Sequence, residues 1–338
     1  MREDSLKTKN RKDLSFYRQK KVLVTGGAGF IGSYLIPLLL ELGAKVIVAD
    51  NLSRGNLKYL KPNLDRISFY KTDLTSFSNC VKVIKGCDIV FNLAAKNTGI
   101  EYDPGHEHEM FTENMLLQLM PLKAAASSNC SYFLQVSSAV VYPRKDGVIY
   151  EEDVSNVPEI SKSGYAYAKL MGEKAATWYA KNTHLQIAIA RPNNAYGPRD
   201  ESAITTLHVI PALANKILRG DNPVVMYGSG KQKRTFTHAR DFALGLLYVL
   251  AKSASRNPFP INISSDDELI IDDVFQNICD ALDKHPKVIH DQNKPEGPLR
   301  RYPDNTRLKK LGWDQTVPFK EGIYETALYI KKHFRNEG

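Results

Sequence analysis

Short apolar runs recur along the first two-thirds of the chain, each of strand length and each bounded by polar or small residues. Val22-Leu23-Val24 is the first, and Lys45-Val46-Ile47-Val48, within 44–49, is the second. Ile67–Lys71, Cys87–Leu93, Ser131–Val136 and Leu185–Ala190 follow. Near-continuous apolar runs, rather than strict alternation, predict strands buried on both faces. Helical patterns separate them, as in Phe30–Leu42, which carries Pro37 inside and Gly43 just past its end. A proline there predicts a kink or local bulge, and the glycine predicts the stop.

Strand and helix in alternation predict an α/β fold of the doubly wound, Rossmann type, a parallel sheet covered on both faces. Beyond residue 200 the pattern loosens. Val209-Ile210-Pro211 opens a helix, Phe236–Ala251 leads into an apolar one, and Leu269–Leu282 and Pro318–His333 read as amphipathic helices. Asp221–Gly230 is turn-rich, and Asp291–Asn305, rich in Pro, Gly and charge, reads as loop. The expected organisation is an N-terminal extension over 1–19, outside the fold, and a dinucleotide-binding domain over 20–190. A mainly substrate-binding, smaller α/β portion follows over 191–338, with parts of 215–262 packing back on the first domain.

Composition changes this picture little. The 338 residues are 43% hydrophobic and 25% charged, ordinary for a globular protein. No apolar run approaches a membrane span, and the polar start lacks a secretory core, so a cytoplasmic protein is expected. The net charge of +9 suits anionic partners. The basic residues are dispersed and no nucleic-acid module is evident, so phosphorylated small molecules fit better than nucleic acid. Cys80, Cys87, Cys130 and Cys279 have no metal-type spacing and read as small buried apolar residues in a reducing setting.

The candidate chemistry begins at Thr25-Gly26-Gly27-Ala28-Gly29-Phe30-Ile31-Gly32. Gly26, Gly29 and Gly32 fall where a strand turns into a helix. Glycine there allows the tight turn, close approach to a pyrophosphate and helix–strand packing, and the helix N-terminus faces the phosphate. Asp50 ends the second strand, 18 residues after Gly32. That is the place of a carboxylate that binds the adenosine ribose 2′-OH and repels a 2′-phosphate, which selects NAD over NADP. Asp73, Ala94, Ser138 and Asn194 also stand at strand ends, where ligands of such sheets bind.

Tyr165 and Lys169 are four apart in a helical stretch, so they share a face. An ammonium beside a phenol favours phenolate, which makes Tyr165 a candidate general base. Ser138 can hydrogen-bond the same substrate oxygen.

With these motifs together, the chain resembles the extended short-chain dehydrogenase/reductases, the NAD-dependent epimerase/dehydratase family of nucleotide-sugar enzymes, from about Lys21 to about Ile330. Asn92-Leu93-Ala94-Ala95, Ser137-Ser138-Ala139, Arg191–Pro198 and Gly228-Ser229-Gly230 with Arg234 and Asp241 carry the likeness further. It implies cofactor contacts from Gly26, Gly29, Phe30, Ile31, Gly32, Asp50, Asn51, Asp73, Leu74, Ala94, Ala95, Asn114, Tyr165 and Lys169. It implies that NAD oxidises a sugar hydroxyl, usually at C4, with Tyr165 taking the proton, Lys169 holding the nicotinamide ribose and Ser138 polarising the keto oxygen. It also implies nucleotide-sugar contacts from Lys96, Asn194, Val209, Tyr227, Arg234 and Arg301, a GDP- or UDP-linked hexose as substrate, and a homodimer.

The position two after the serine often carries the extra acid or base in this family: glutamate in 4,6-dehydratases and glucuronate decarboxylases, cysteine in GDP-mannose 3,5-epimerases and GDP-fucose synthases. Here it is Val140, which moves no proton. Yet Pro295-Glu296-Gly297, Arg300-Arg301, Asp304-Asn305 and Leu311-Gly312-Trp313 resemble the GDP-mannose 3,5-epimerase branch most. Lys96 and His208 are the candidates to replace the missing acid. The histidine-bearing stretch Asp103–Glu109 reads as a loop or helix start with no metal. The expected function is an NAD-dependent epimerase working through a transient 4-keto sugar. A 4-keto reductase or dehydratase is the alternative, and a non-catalytic NAD-binding scaffold stands outside both.

Overall fold

The computed structural model of the chain describes residues 6, 12–96, 105–154, 163–200, 208–294 and 296–334. Its centre is a seven-stranded parallel sheet. From one edge the order is Pro260–Ile263, Gln186–Pro192, Tyr132–Val136, Ile89–Asn92, Lys21–Thr25, Lys45–Asp50 and Ile67–Lys71. Six of these are the strands read from the sequence. The order reverses direction beside Lys21–Thr25, which opens a crevice at the carboxyl ends of the strands. Side chains alternate across the sheet: Val22 and Val24 enter one buried cluster, and Leu23 enters the cluster on the opposite face.

Three features here differ from the sequence reading. The seventh strand, Pro260–Ile263, is short and contains the buried polar Asn262, so no apolar run announces it. A second sheet joins Glu268–Ile270, Lys233–Thr235, Arg300–Pro303 and Gly147–Ile149, so the expected loop Asp291–Asn305 in fact contains a strand. Pro295, part of one quoted motif, lies outside the described residues, as do residues 103 and 104 of the histidine-bearing stretch; His108 and Glu109 open the helix Glu107–Ala126. The expectation that residues 1–19 lie outside the fold is also corrected. Leu14 and Tyr17, three apart, are fully buried in the sheet's core, and the Tyr17 hydroxyl donates to the Leu247 carbonyl at 2.7 Å. Their apolar spacing decides the matter, although the segment is polar on average.

Pro37 neither breaks nor bulges its helix, which runs unbroken from Gly32 to Glu41. Proline lacks the N–H that would bond the carbonyl of Ser33. Arg199 supplies the donor instead, its Nη1 lying 3.1 Å from that oxygen. Arg199 also lies over the rings of Tyr34 and Tyr59, 4.9 and 5.8 Å from their centroids. Pro121 repeats the device in its own helix: the freed Leu117 carbonyl accepts from Asn92 Nδ2 at 3.1 Å. Arg199→Ala is expected to leave the buried Ser33 carbonyl unpaired and to lower unfolding stability by about 1–3 kcal/mol. Denaturant unfolding measures this, and an unchanged midpoint would show that the carbonyl has found another donor.

The C-terminal portion has its own core, built from Val209–Arg219, Ile271–Leu282 and Phe319–His333. Helix Ala239–Ser253, Leu308 and Trp313 belong instead to the core of the large sheet. No described helix is long and apolar enough to cross a membrane.

Candidate active site

The glycine turn follows Lys21–Thr25. Gly26 has φ +64°, and a Cβ there would stand 3.0 Å from the Ala94 Cα. A Cβ on Gly32 would stand 2.5 Å from the Gly27 Cα and 2.7 Å from the carbonyl oxygens of Gly26 and Gly27. The turn can therefore close only with these glycines, and Gly32 opens the helix Gly32–Glu41 without a side chain. Asp50 lies beneath it. Its Oδ2 accepts from the Ala28 N–H at 3.0 Å and its Oδ1 from the Leu52 N–H at 2.8 Å. Burial raises its pKa, and these two bonds oppose the rise. Each oxygen keeps a lone pair, so the carboxylate can fix its loop and still accept from a ribose. Side-chain-free backbone and an acceptor at the neighbouring strand end fit a dinucleotide.

The other predicted cofactor residues fall around this turn. Ala94 and Ala95 follow the Ile89–Asn92 strand, and the Ala94 N–H donates to Thr25 Oγ1 at 3.0 Å. Asn114 is fully buried behind them and grips Lys96 at both its N–H and its carbonyl, at 3.0 and 2.9 Å. It shapes that turn from behind. Asn51 is held in its own turn by the Ser53 N–H, and Asp73 likewise accepts from Thr75. Leu74 is buried, and Phe30 meets Tyr34 edge-on.

Ser163 caps the helix Gly164–Asn182, its hydroxyl accepting from the Ala166 N–H. Tyr165 and Lys169 face the sheet from its first turns, with the Lys169 Nζ 5.6 Å from the Tyr165 ring centroid. Burial pushes the Tyr165 phenol up to about 12, opposed by a hydrogen bond with Ser138. Burial pulls the Lys169 ammonium down to about 8, opposed by Glu173. Lys169 Nζ donates to the Val136 carbonyl at 2.8 Å. Ser138, Tyr165 and Lys169 are thus brought together as the sequence reading requires. Val140, two residues after Ser138, is exposed.

Behind this trio lies a buried polar cluster. Arg191 grips Glu173 through Nε and Nη2, at 2.8 and 2.7 Å, and Ser137 Oγ donates to Glu173 at 2.5 Å. Arg191 Nη1 also donates to the Tyr142 hydroxyl and the Glu151 carbonyl. Glu173 looks like a surface residue in sequence; its only signal is falling four residues after Lys169.

Arg234 and Arg301 sit opposite one another in paired strands, so they share a face. Arg301 donates to the Ala139 carbonyl at 2.9 Å, beside Ser138. Burial lowers the pKa of both, and Arg234 adds to the effect on Arg301. Two desolvated guanidiniums on one face can hold a dianion. Arg300 points the other way and pairs with Glu268 at 2.5 Å, which leaves Arg301 as the arginine that faces the cleft. Tyr227 is exposed between Lys216 and Lys294, 5.3 and 5.7 Å from its ring centroid. Asn194 is tied to the Thr235 carbonyl, and Val209 opens its helix in an exposed position.

The two candidate replacements for the missing acid are both engaged. Lys96 Nζ pairs with Glu113 at 2.7 Å. His208 pairs with Asp200 at 2.7 Å; burial lowers its pKa, the Asp200 bond and charge outweigh that, and Arg54 stands near enough to oppose them. Among the described residues no three His, Cys, Asp or Glu side chains gather as a metal site.

Residues 22–264 match the model of the NAD dependent epimerase/dehydratase family. The GDP-mannose 3,5-epimerase 1 of Oryza sativa subsp. japonica is 28% identical over 326 residues, covering 94% of this chain and 83% of that protein. Epimerase Mth375 of Methanothermobacter thermautotrophicus superposes with a TM-score of 0.85 at 25% identity, covering 96% of each chain. The UDP-glucose 4-epimerase of Thermus thermophilus, solved as a complex with NAD, superposes with a TM-score of 0.79 at 25% identity, covering 92% of this chain and 99% of that one.

Proposed function

From a chain that belongs to the NAD-dependent epimerase/dehydratase family, we propose a nucleotide-sugar epimerase that works through a transient 4-keto sugar. The observation that carries the reading is Tyr165 within reach of both Ser138 and Lys169, above a glycine turn that fits a dinucleotide. NAD, when bound, supplies a hydride acceptor that gives the hydride back. Gly26, Gly29, Phe30, Ile31, Gly32, Asp50, Asn51, Asp73, Leu74, Ala94 and Ala95 hold it, with Asn114 shaping the turn from behind. Tyr165 takes the proton of the C4 hydroxyl and later returns it. Lys169 keeps the phenolate favoured by its charge and holds the nicotinamide ribose. Ser138 donates to the developing keto oxygen.

Arg234, Arg301 and Asn194 hold the diphosphate of a GDP- or UDP-linked hexose, and Tyr227 and Val209 contact the nucleotide. Residues 20–190 form the cofactor domain and 191–338 mainly the substrate portion, with parts of 215–262 returning to the first. The reading is of a cytoplasmic protein, and a homodimer is favoured by Phe111 and Trp178, exposed on the packed helices Glu107–Ala126 and Gly164–Asn182.

Epimerisation at C4 leads, because Val140 moves no proton while Lys96 and His208 already have carboxylate partners. The 28% identity to a GDP-mannose 3,5-epimerase favours the second reading, inversion at C3 and C5. Turnover in deuterated water of UDP-glucose and GDP-mannose, read by mass spectrometry, separates them. Direct hydride return leaves carbon free of deuterium, whereas C3/C5 chemistry incorporates it. Conversion of neither sugar, nor of their CDP and dTDP analogues, would sink both.

A further inference from the structure

We propose that Glu173 is a positioning residue of the catalytic set: locked to Arg191, it keeps the Lys169 side chain charged and holds the loop that carries Ser138. The inference rests on the reading of Tyr165 as base and Lys169 as its ammonium partner.

Glu173 lies one helical turn beyond Lys169 and two beyond Tyr165, on the same face. It is almost fully buried, and its two oxygens accept from Arg191 Nε and Nη2 in the bidentate manner that fixes a carboxylate most firmly. The oxygen that accepts from Arg191 Nε also accepts from Ser137, the residue before Ser138. One carboxylate therefore joins the helix of Tyr165, the strand Gln186–Pro192 and the serine loop. The far side of the guanidinium is anchored as well. Arg191 Nη1 takes the Tyr142 hydroxyl at the end of the Ala139–Val141 turn, and Tyr142 in turn donates to Asn262 Oδ1 at 2.5 Å.

The polar groups around Lys169 are few. Tyr165 and Glu173 face it from its own helix, the Val136 carbonyl accepts its proton at 2.8 Å, and Arg191 and Tyr142 lie behind Glu173. Of these Glu173 favours the ammonium by its charge, while burial opposes it. Lys169 sits near 8 with Glu173 in place. Turnover should therefore fall as pH rises through about 8, when the ammonium is lost. Without the Glu173 charge the same loss comes at lower pH.

The test is the pH profile of kcat for Glu173→Gln, which keeps the shape and an acceptor oxygen but not the charge. The alkaline limb is expected to move down by about one unit, with kcat at pH 8 falling about fivefold and KM for the sugar unchanged; Glu173→Asp should restore the limb. A profile that drops evenly at every pH, or does not change, overturns the proposal. Where Glu173→Gln fails to fold, Ser137→Ala releases the serine loop alone. It is expected to lower kcat severalfold at constant KM, and an unchanged kcat overturns the proposal. Failure here, with Tyr165→Phe still inactive, leaves the catalytic assignment standing; an active Tyr165→Phe removes the assignment itself.

Discussion

Tyr165→Phe is expected to lose about 100- to 10,000-fold in kcat, the usual worth of a positioned acid or base, while its bound NAD survives. The ring stays, so its packing in the first turn of Gly164–Asn182 survives with it. Only the hydroxyl goes, and with it the hydrogen bond to Ser138. Burial, opposed only in part by the Ser138 hydrogen bond, holds the phenol at about 12. Phenolate at neutral pH therefore depends on neighbouring positive charge, which phenylalanine cannot use. Steady-state kinetics give the kcat, and mass spectrometry of the released small molecules gives the cofactor. Turnover near the wild-type level would remove Tyr165 from the mechanism.

Gly32→Ala is the second large effect. The added Cβ would press on the Gly27 Cα at 2.5 Å and on two carbonyl oxygens at 2.7 Å. All three are backbone atoms in a turn with no slack, so the turn must open to admit it. Overpacking of this kind costs about 1–3 kcal/mol, and the opened turn no longer offers bare backbone to a pyrophosphate. NAD affinity is expected to fall at least about tenfold, since about 1.4 kcal/mol is a factor of ten. Calorimetric titration of NAD into the cofactor-free protein measures it. An affinity equal to wild type would mean that the pyrophosphate does not lie on this turn.

Much of the fold is legible in the sequence because parallel strands buried on both faces advertise themselves. Val22-Leu23-Val24 and Ile47-Val48 need no partner to be recognised. Pro260–Ile263 escapes because its buried Asn262 is satisfied by the Ile149 and Asp304 carbonyls, contacts distant in sequence. The second sheet escapes for the same reason. Its strands are three or four residues long and come from positions near 147, 233, 268 and 300, so pairing rather than pattern makes them strands.

At the site, Tyr165, Lys169, Ser138 and Asp50 are legible by spacing and by their place at strand ends. The charged pair of Glu173 and Arg191 is not, because a buried ion pair looks in sequence like two surface residues. Arg300 and Arg301 show the opposite case. Adjacent and alike in sequence, they are turned apart by strand alternation, Arg300 to Glu268 and Arg301 to the Ala139 carbonyl.

The donor that Arg199 lends to the helix of Pro37 bears on how such proteins exchange parts. Recombination between relatives is commonly imagined at the join of cofactor and substrate halves. Here the helix that opens at the glycine turn does not complete its own ladder; the missing donor comes from Arg199, beyond the strand Gln186–Pro192. The core beneath that helix also includes Leu308 and Trp313 from near the far end of the chain. A hybrid that inherits Pro37 without the matching arginine starts with an unmet carbonyl and an unfilled core. The two halves are thus heritable as a pair, and a crossover between them is free only where both dependences are absent.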